Sequence, residues 1–248
     1  MKKLQGALVE PAFPKSWRKQ SKPHKFCPGC GQALALKILG FAIDELGIQD
    51  KMVYGCDIGC SLLTWEMFDL DTVQAHHGRV LPTMVGFKLA KPESIVIAFM
   101  GDGGGYAIGA QHLVNSAMRN DKVTVILINN ANYAMTGGQM APTTLISEKT
   151  TTTPEGRQEN QFGNPLHGPE MLSKIIDDKA YIARTISTNF GDCKEKIKKA
   201  IQNQIDGRGF SFVEILSMCP VNWHTNTQAS LDFCEKDLTK IYPLGEFK

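Results

Sequence analysis

The sequence predicts an α/β fold, a mostly parallel sheet flanked by helices, with extended N- and C-terminal arms. Three observations predict it. Residues 95–100 (IVIAFM), 123–128 (VTVILI) and 210–216 (FSFVEIL) are short, nearly continuous apolar runs, the pattern of strands buried on both faces. Segments with helical spacing separate such runs, as a parallel sheet requires of its crossovers. A glycine run follows residues 95–100 at once, at the carboxyl end of a strand, where α/β sheets hold their ligands. A length of 248 residues suits one domain of this kind, or at most two. The expected division is an arm at 1–26, a domain at 27–220 and a tail at 221–248.

Taken in order, residues 1–26 carry Pro and Lys without a helical period and read as an arm lying on the domain or on a partner. Residues 32–46 form a helix, with Leu34, Ile38, Phe41 and Ile43 as its apolar positions. A strand-like run at 52–54 precedes the motif at 57–61, and 65–70 reads as a surface segment. Residues 81–90 are the helix feeding the central strand, and 108–118 the helix after it. Residues 141–167 are long, Thr-rich and aperiodic, which suits a subunit contact or a cover over the site. A strand at 179–185, an amphipathic helix at 193–205 with a lysine face, and the last buried strand lead to a tail that could wrap another subunit.

A net charge of +2 argues against a nucleic-acid surface. No apolar run approaches membrane-spanning length and no signal peptide is visible, so a cytoplasmic protein is expected. Seven cysteines, an odd number, speak for metal or redox use rather than structural disulfides.

The chemistry concentrates at Gly101-Asp102-Gly103-Gly104-Gly105 and Asn129-Asn130-Ala131-Asn132, which end two neighbouring strands. Gly101, Gly103 and Gly104 allow the backbone to approach a diphosphate, and a helix start supplies N–H donors. Mg²⁺ wants oxygen ligands; Asp102 offers a carboxylate, Asn130 an amide oxygen and Asn132 a backbone carbonyl. A Rossmann site is excluded because asparagines stand where its acidic residue belongs, and a P-loop because no G-K-[ST] follows the glycines; a tight structural turn is the third reading, and the asparagines ending the next strand weigh against it.

Cys27-Pro28-Gly29-Cys30-Gly31 places two thiols on one turn. No strand precedes it as in a thioredoxin, and no second C-x-x-C completes a zinc knuckle. An iron–sulfur cluster can take distant ligands, and Cys60 and Cys219 are preferred because each lies between a strand-like run and turn residues. Cys56 is the rival for the third place, while Cys193 and Cys234 read as ordinary thiols. The pair His76-His77 suggests metal, but adjacent side chains diverge on a helix or a strand.

In order, CPGCG (27–31), DIGCS (57–61), HHGR (76–79), GDGG (101–104), NNANYAMTGGQMAPTT (129–144) and MCPVNW (218–223) resemble the β subunit of 2-oxoacid:ferredoxin oxidoreductases. The resemblance implies a thiamine diphosphate-binding domain with Mg²⁺ on Asp102, Asn130 and Asn132 and a [4Fe–4S] cluster on Cys27, Cys30, Cys60 and Cys219. It implies cofactor contacts from Ile58, Gly59, Cys60, Ser61, Ala134 and Met135, and from a catalytic His77. Met135 is the candidate for the apolar wedge that bends the cofactor. Two residues depart from the family pattern: Gly104 stands where many relatives carry Asp, and Asn129 likewise.

The implied reaction is oxidative decarboxylation of a 2-oxo acid to acyl-coenzyme A and CO₂, with electrons passed to ferredoxin. A pyrimidine-binding α subunit would supply the missing glutamate, with γ and ferredoxin-like δ subunits beside it, so that the chain alone is inactive. Phe13-Pro14-Lys15-Ser16, Gly156-Arg157, Pro165-Leu166-His167, Asn222-Trp223 and the YPLG stretch at 242–245 look most like the branched-chain (2-oxoisovalerate) members. The alternatives are a non-redox thiamine decarboxylase half with zinc on Cys27 and Cys30, and a non-catalytic iron–sulfur scaffold. Neither nucleic acid nor membrane is expected as a partner.

Overall fold

The computed structural model describes residues 13–21 and 24–248; the rest of the expected N-terminal arm lies outside the described residues. Its centre is a seven-stranded sheet. The strands are β1 (Met52–Cys56), β2 (Asp71–Gln74), β3 (Ile95–Gly101), β4 (Thr124–Asn129), β7 (Tyr181–Ile186), β8 (Ser211–Leu216) and β9 (Gly245–Glu246). A separate hairpin pairs β5 (Asn132–Tyr133) with β6 (Gln139–Met140). The spatial order is β2-β1-β3-β4-β8-β7-β9, and every neighbouring pair is parallel except β7 and β9.

Period-two alternation divides the core between the two faces. Tyr54, Ile97, Phe99, Ile126 and Ile128 pack under α1 (Gly31–Leu46) and α6 (Phe190–Ile205). Val96, Ala98, Met100, Val125 and Leu127 pack under α2 (Val80–Ala90) and α3 (Ala110–Met118). The predicted buried strands and helices are all present.

Three features differ from expectation. Residues 71–74 form an edge strand whose polar, half-exposed side chains leave no apolar pattern to read. The glycine run does not lead straight into a helix: Gly104–Ile108 winds as a π turn first, which three successive residues without a β-carbon permit. Residues 221–248 do not trail away but fold back on the domain. There α7 (Thr227–Phe233) and the turn after it bury Cys234, Leu238 and Tyr242, and β9 closes the sheet edge.

The long segment after β6 holds two short helices, α4 (Glu159–Phe162) and α5 (Gly168–Ser173). It is organised by Arg157, a buried side chain whose guanidinium donates to the carbonyls of Thr144, Pro142, Asn164, Gly163 and Phe162 at 2.7 to 3.1 Å. Long loops are usually ordered in this way only where they serve a site.

A buried charge cluster braces the same end. Arg184 has no exposed surface; its Nη1 and Nη2 grip Glu170 at 2.7 Å each, its Nε pairs with Glu214, and Nη1 also reaches the Pro243 carbonyl at 3.1 Å. Glu214 Oε1 accepts from Tyr106 Oη and from Asn129 Nδ2, both at 3.0 Å. An Asp at 129 would set a second carboxylate against buried Glu214. Arg184→Met should cost about 3–5 kcal/mol, because Glu214 would be left charged and unpaired in the core. Urea unfolding of the variant checks this, and a midpoint equal to wild type would contradict it.

Candidate functional site

Parallel pairing brings the carboxyl ends of β2, β1, β3, β4 and β8 side by side, and the loops leaving them carry nearly all the predicted residues. β1 leads to Asp57-Ile58-Gly59-Cys60-Ser61 and β2 to His77. β3 leads to Asp102 and the glycines, β4 to Asn130 and Asn132, and β8 to Cys219. Two cavities lie there.

The first measures ≈ 170 Å³. Ile58, Gly59, Cys60 and Ser61 line it together with Gly101, Asp102, Gly103 and Gly104, and so do His77, Ala134 and Met135. Every residue assigned to the cofactor from the sequence thus faces one space, together with Asn130 and Asn132. Gly59 has φ +100°, a conformation that side chains rarely adopt, and it lets the chain double back from β1 into the cavity wall. Met135 is exposed and lines the same cavity as the half-exposed His77.

Asp102 is buried. Its Oδ2 accepts from Thr143 Oγ1 at 2.6 Å and its Oδ1 from the Gly103 N–H at 2.8 Å. None of the described residues offers it a cationic partner, and burial pushes its carboxyl up to about 7. Nearby, Asn132 Oδ1 is buried without a hydrogen-bond partner. The turn that presents it is strained: Ala131 sits at φ +58°, held by Asn129 Oδ1 accepting its N–H at 3.1 Å and Thr144 Oγ1 donating to its carbonyl at 2.5 Å. A buried carboxylate without a cation, beside an orphaned amide oxygen, is a donor set that suits a hard divalent ion.

Asp57 and Thr143 were not among the residues assigned from the sequence. Asp57 is fully buried; its Oδ1 accepts from the Gly78 N–H at 2.7 Å, and its Oδ2 faces His77 Nδ1 at 3.3 Å without hydrogen-bond alignment. Burial raises its pKa, and the facing imidazole opposes that rise. A β-carbon on residue 104 would lie 2.0 Å from Asp57 Oδ2, so a side chain at 104 would displace the Asp57 carboxylate from its place beside His77.

The second cavity, ≈ 340 Å³, is lined by Cys27, Cys30, Cys60 and Cys219, the four thiols preferred from the sequence. Cys30 caps the amino end of α1, where helix N–H groups favour a thiolate. Burial pushes the Cys30 thiol to about 11 and Cys60 to about 12, and neighbouring thiols add to both. The three other cysteines are buried elsewhere: Cys56 and Cys193 in the core beneath α1 and α6, Cys234 under the C-terminal segment. Among the described residues no three Cys, His, Asp or Glu side chains form a set for a single metal ion; the four thiols share the lining of one cavity. Four thiols around one cavity suit a polynuclear cluster.

Gln32, Cys60, Asn130, Ala134 and Met135 line both cavities and form the partition between them. Gln32, also missed in the sequence, holds the partition by donating from Nε2 to Ser61 Oγ at 3.2 Å.

Comparison with known proteins follows the same lines. Residues 57–215 match the family described as thiamine pyrophosphate enzyme, C-terminal TPP binding domain, a span that excludes Cys27, Cys30 and Cys219. The chain is 37% identical to ketoisovalerate oxidoreductase subunit VorA of Methanothermobacter thermautotrophicus over 226 residues, 90% of this chain and 47% of that protein. It is 37% identical to 2-oxoglutarate synthase subunit KorB of Methanocaldococcus jannaschii over 215 residues, 86% of this chain and 75% of that protein. It therefore spans about half the length of the ketoisovalerate relatives it matches. The structure resembles 2-oxoglutarate:ferredoxin oxidoreductase from Magnetococcus marinus, solved with 2-oxoglutarate, coenzyme A and succinyl-CoA bound. That likeness has a TM-score of 0.78 and 27% identity, and covers 96% of this chain and 85% of that one.

Proposed function

This chain belongs to the thiamine diphosphate-binding β subunits of the 2-oxoacid:ferredoxin oxidoreductases, and on that premise we propose that it serves oxidative decarboxylation of a 2-oxo acid. The overall step converts 2-oxo acid and coenzyme A to acyl-coenzyme A, CO₂, one proton and two electrons. The observation that carries the redox reading is the partition: the space lined by four thiols shares five residues with the space lined by the cofactor residues.

Thiamine diphosphate, when bound, supplies the electron sink that a 2-oxo acid lacks. This chain's residues do the rest. Asp102, Asn130 and Asn132 would hold Mg²⁺, and Gly103 and Gly104 would bring the diphosphate against backbone N–H groups. His77, which faces Asp57 and lines the cavity, would hold or move a proton there. Cys27, Cys30, Cys60 and Cys219 would hold a [4Fe–4S] cluster, which would supply one-electron chemistry between this site and ferredoxin. Met135, exposed and lining the cavity, supports a pyrimidine-binding α subunit seated over it, with γ and δ subunits completing the assembly. Seven cysteines without a disulfide support a cytoplasmic enzyme. A branched-chain 2-oxo acid is the favoured substrate, supported by the segments at 13–16 and 156–167 and by the ketoisovalerate relatives.

Iron, acid-labile sulfide and zinc per chain, measured on anaerobically purified complex, test the reading. About four irons with matching sulfide are expected per copy of this chain, beyond those that a ferredoxin-like subunit carries. Zinc without sulfide would overturn the redox reading and leave a non-redox thiamine enzyme.

A further inference from the structure

Asn222 lies in the wall of the thiol cavity, three residues after Cys219. Its Nδ2 donates to the Ala134 carbonyl at 2.8 Å and to Cys219 Sγ at 3.6 Å. The first acceptor belongs to the partition between the cavities, the second to the four thiols. Its orientation is imposed from two sides. A β-carbon on residue 138 would lie 3.1 Å from Asn222 Cβ, so the β5–β6 hairpin closes directly over it. On the other side, the Trp223 N–H donates to the Cys219 carbonyl at 3.0 Å, and the indole Nε1 donates to the Asn130 carbonyl at 3.2 Å.

We propose that Asn222 sets the reduction potential of the cluster held by Cys27, Cys30, Cys60 and Cys219, through its hydrogen bond to the Cys219 sulfur. The inference rests on the redox reading above. One-electron reduction adds one negative charge that the thiolate sulfurs share, and a fixed N–H donor stabilises the more negative state more. The electron derives from the oxidised 2-oxo acid and leaves to ferredoxin; Asn222 exchanges neither electron nor proton. Removing the donor therefore lowers the potential.

The test is a redox titration, followed by electron paramagnetic resonance, of anaerobically purified complex carrying wild-type chain, Asn222→Ala, Asn222→Asp or Trp223→Phe. Iron and sulfide are measured first; a wild-type complex without them defeats the redox reading itself, whatever the variants do. With the cluster present, Asn222→Ala should raise the oxidised-to-reduced ratio at the wild-type midpoint by about three- to tenfold, tenfold being 59 mV for one electron. Asn222→Asp, which removes the donor and adds charge, should shift it further in the same direction. Trp223→Phe removes a hydrogen bond from the same turn without touching sulfur and should leave the midpoint in place. An unchanged midpoint in Asn222→Ala, or an equal shift in Trp223→Phe, overturns the proposal. Should Asn222→Ala lose its iron, Asn222→Asp carries the test, and loss of iron from both overturns it as well.

Discussion

Asp102→Ala should abolish Mg²⁺-dependent binding of thiamine diphosphate while leaving the fold intact. The carboxylate is the one full negative charge among the proposed metal donors, and its two hydrogen bonds, to Thr143 Oγ1 and the Gly103 N–H, hold it in the cavity lining. Losing an outer-shell partner of a metal typically lowers metal affinity by about 10–100-fold, and a ligand should matter at least as much. Without the cofactor the same group is a burden on the fold, because burial opposes its charge and no cation offsets it. Asp102→Asn separates the two effects: the amide oxygen keeps an acceptor for Thr143 or Gly103, but the charge is gone. Both variants should melt near the wild-type temperature without ligand and lose the rise in melting temperature that Mg²⁺ and thiamine diphosphate together confer. Titration calorimetry on the purified complex measures the binding directly, and wild-type affinity in Asp102→Ala would remove the metal from this site.

The residues of this site were legible where chemistry is local. Asp102 among glycines and Asn130 at a strand end are short-range patterns, and so is the C-x-x-C of Cys27 and Cys30. Residues whose partners lie far along the chain were not. Thr143 reaches Asp102 across 41 positions, Asn222 reaches Ala134 across 88, and Asn129 reaches Glu214 across 85. The two departures from the family pattern belong to this class. Gly104 lies against Asp57, and Asn129 donates to Glu214, both far along the chain. The fold was legible for a related reason: strands such as β3 and β4 are apolar on both faces and declare themselves. The polar edge strand β2 does not, because one flank meets no strand and its side chains are half-exposed. The C-terminal segment did carry a readable signal, Cys234, Leu238 and Tyr242 at helical spacing, and all three are buried.

Cys219→Ser should strip or damage the cluster, while Cys234→Ser should leave iron and sulfide at wild-type levels. The contrast is informative because the two thiols look alike by burial and by chemistry: both are buried, and burial raises both above the usual thiol range. What separates them is what they face. Cys219 opens on the cavity shared with Cys27, Cys30 and Cys60, whereas Cys234 packs with Leu238 and Tyr242 in the apolar cluster beneath the C-terminal segment. A serine at 234 therefore buries a hydroxyl among apolar side chains, at a cost to stability of about 1–3 kcal/mol, and has no iron to lose. Cys56→Ser makes the same distinction for the rival third ligand, since Cys56 points into the core beneath α1 rather than into the cavity. Iron, sulfide and the reduced-cluster resonance, measured per chain in the anaerobic complex, decide the matter. Equal loss from Cys219→Ser and Cys234→Ser would mean that a destabilised fold, not a missing ligand, releases the cluster, and the four-thiol assignment would fall with it.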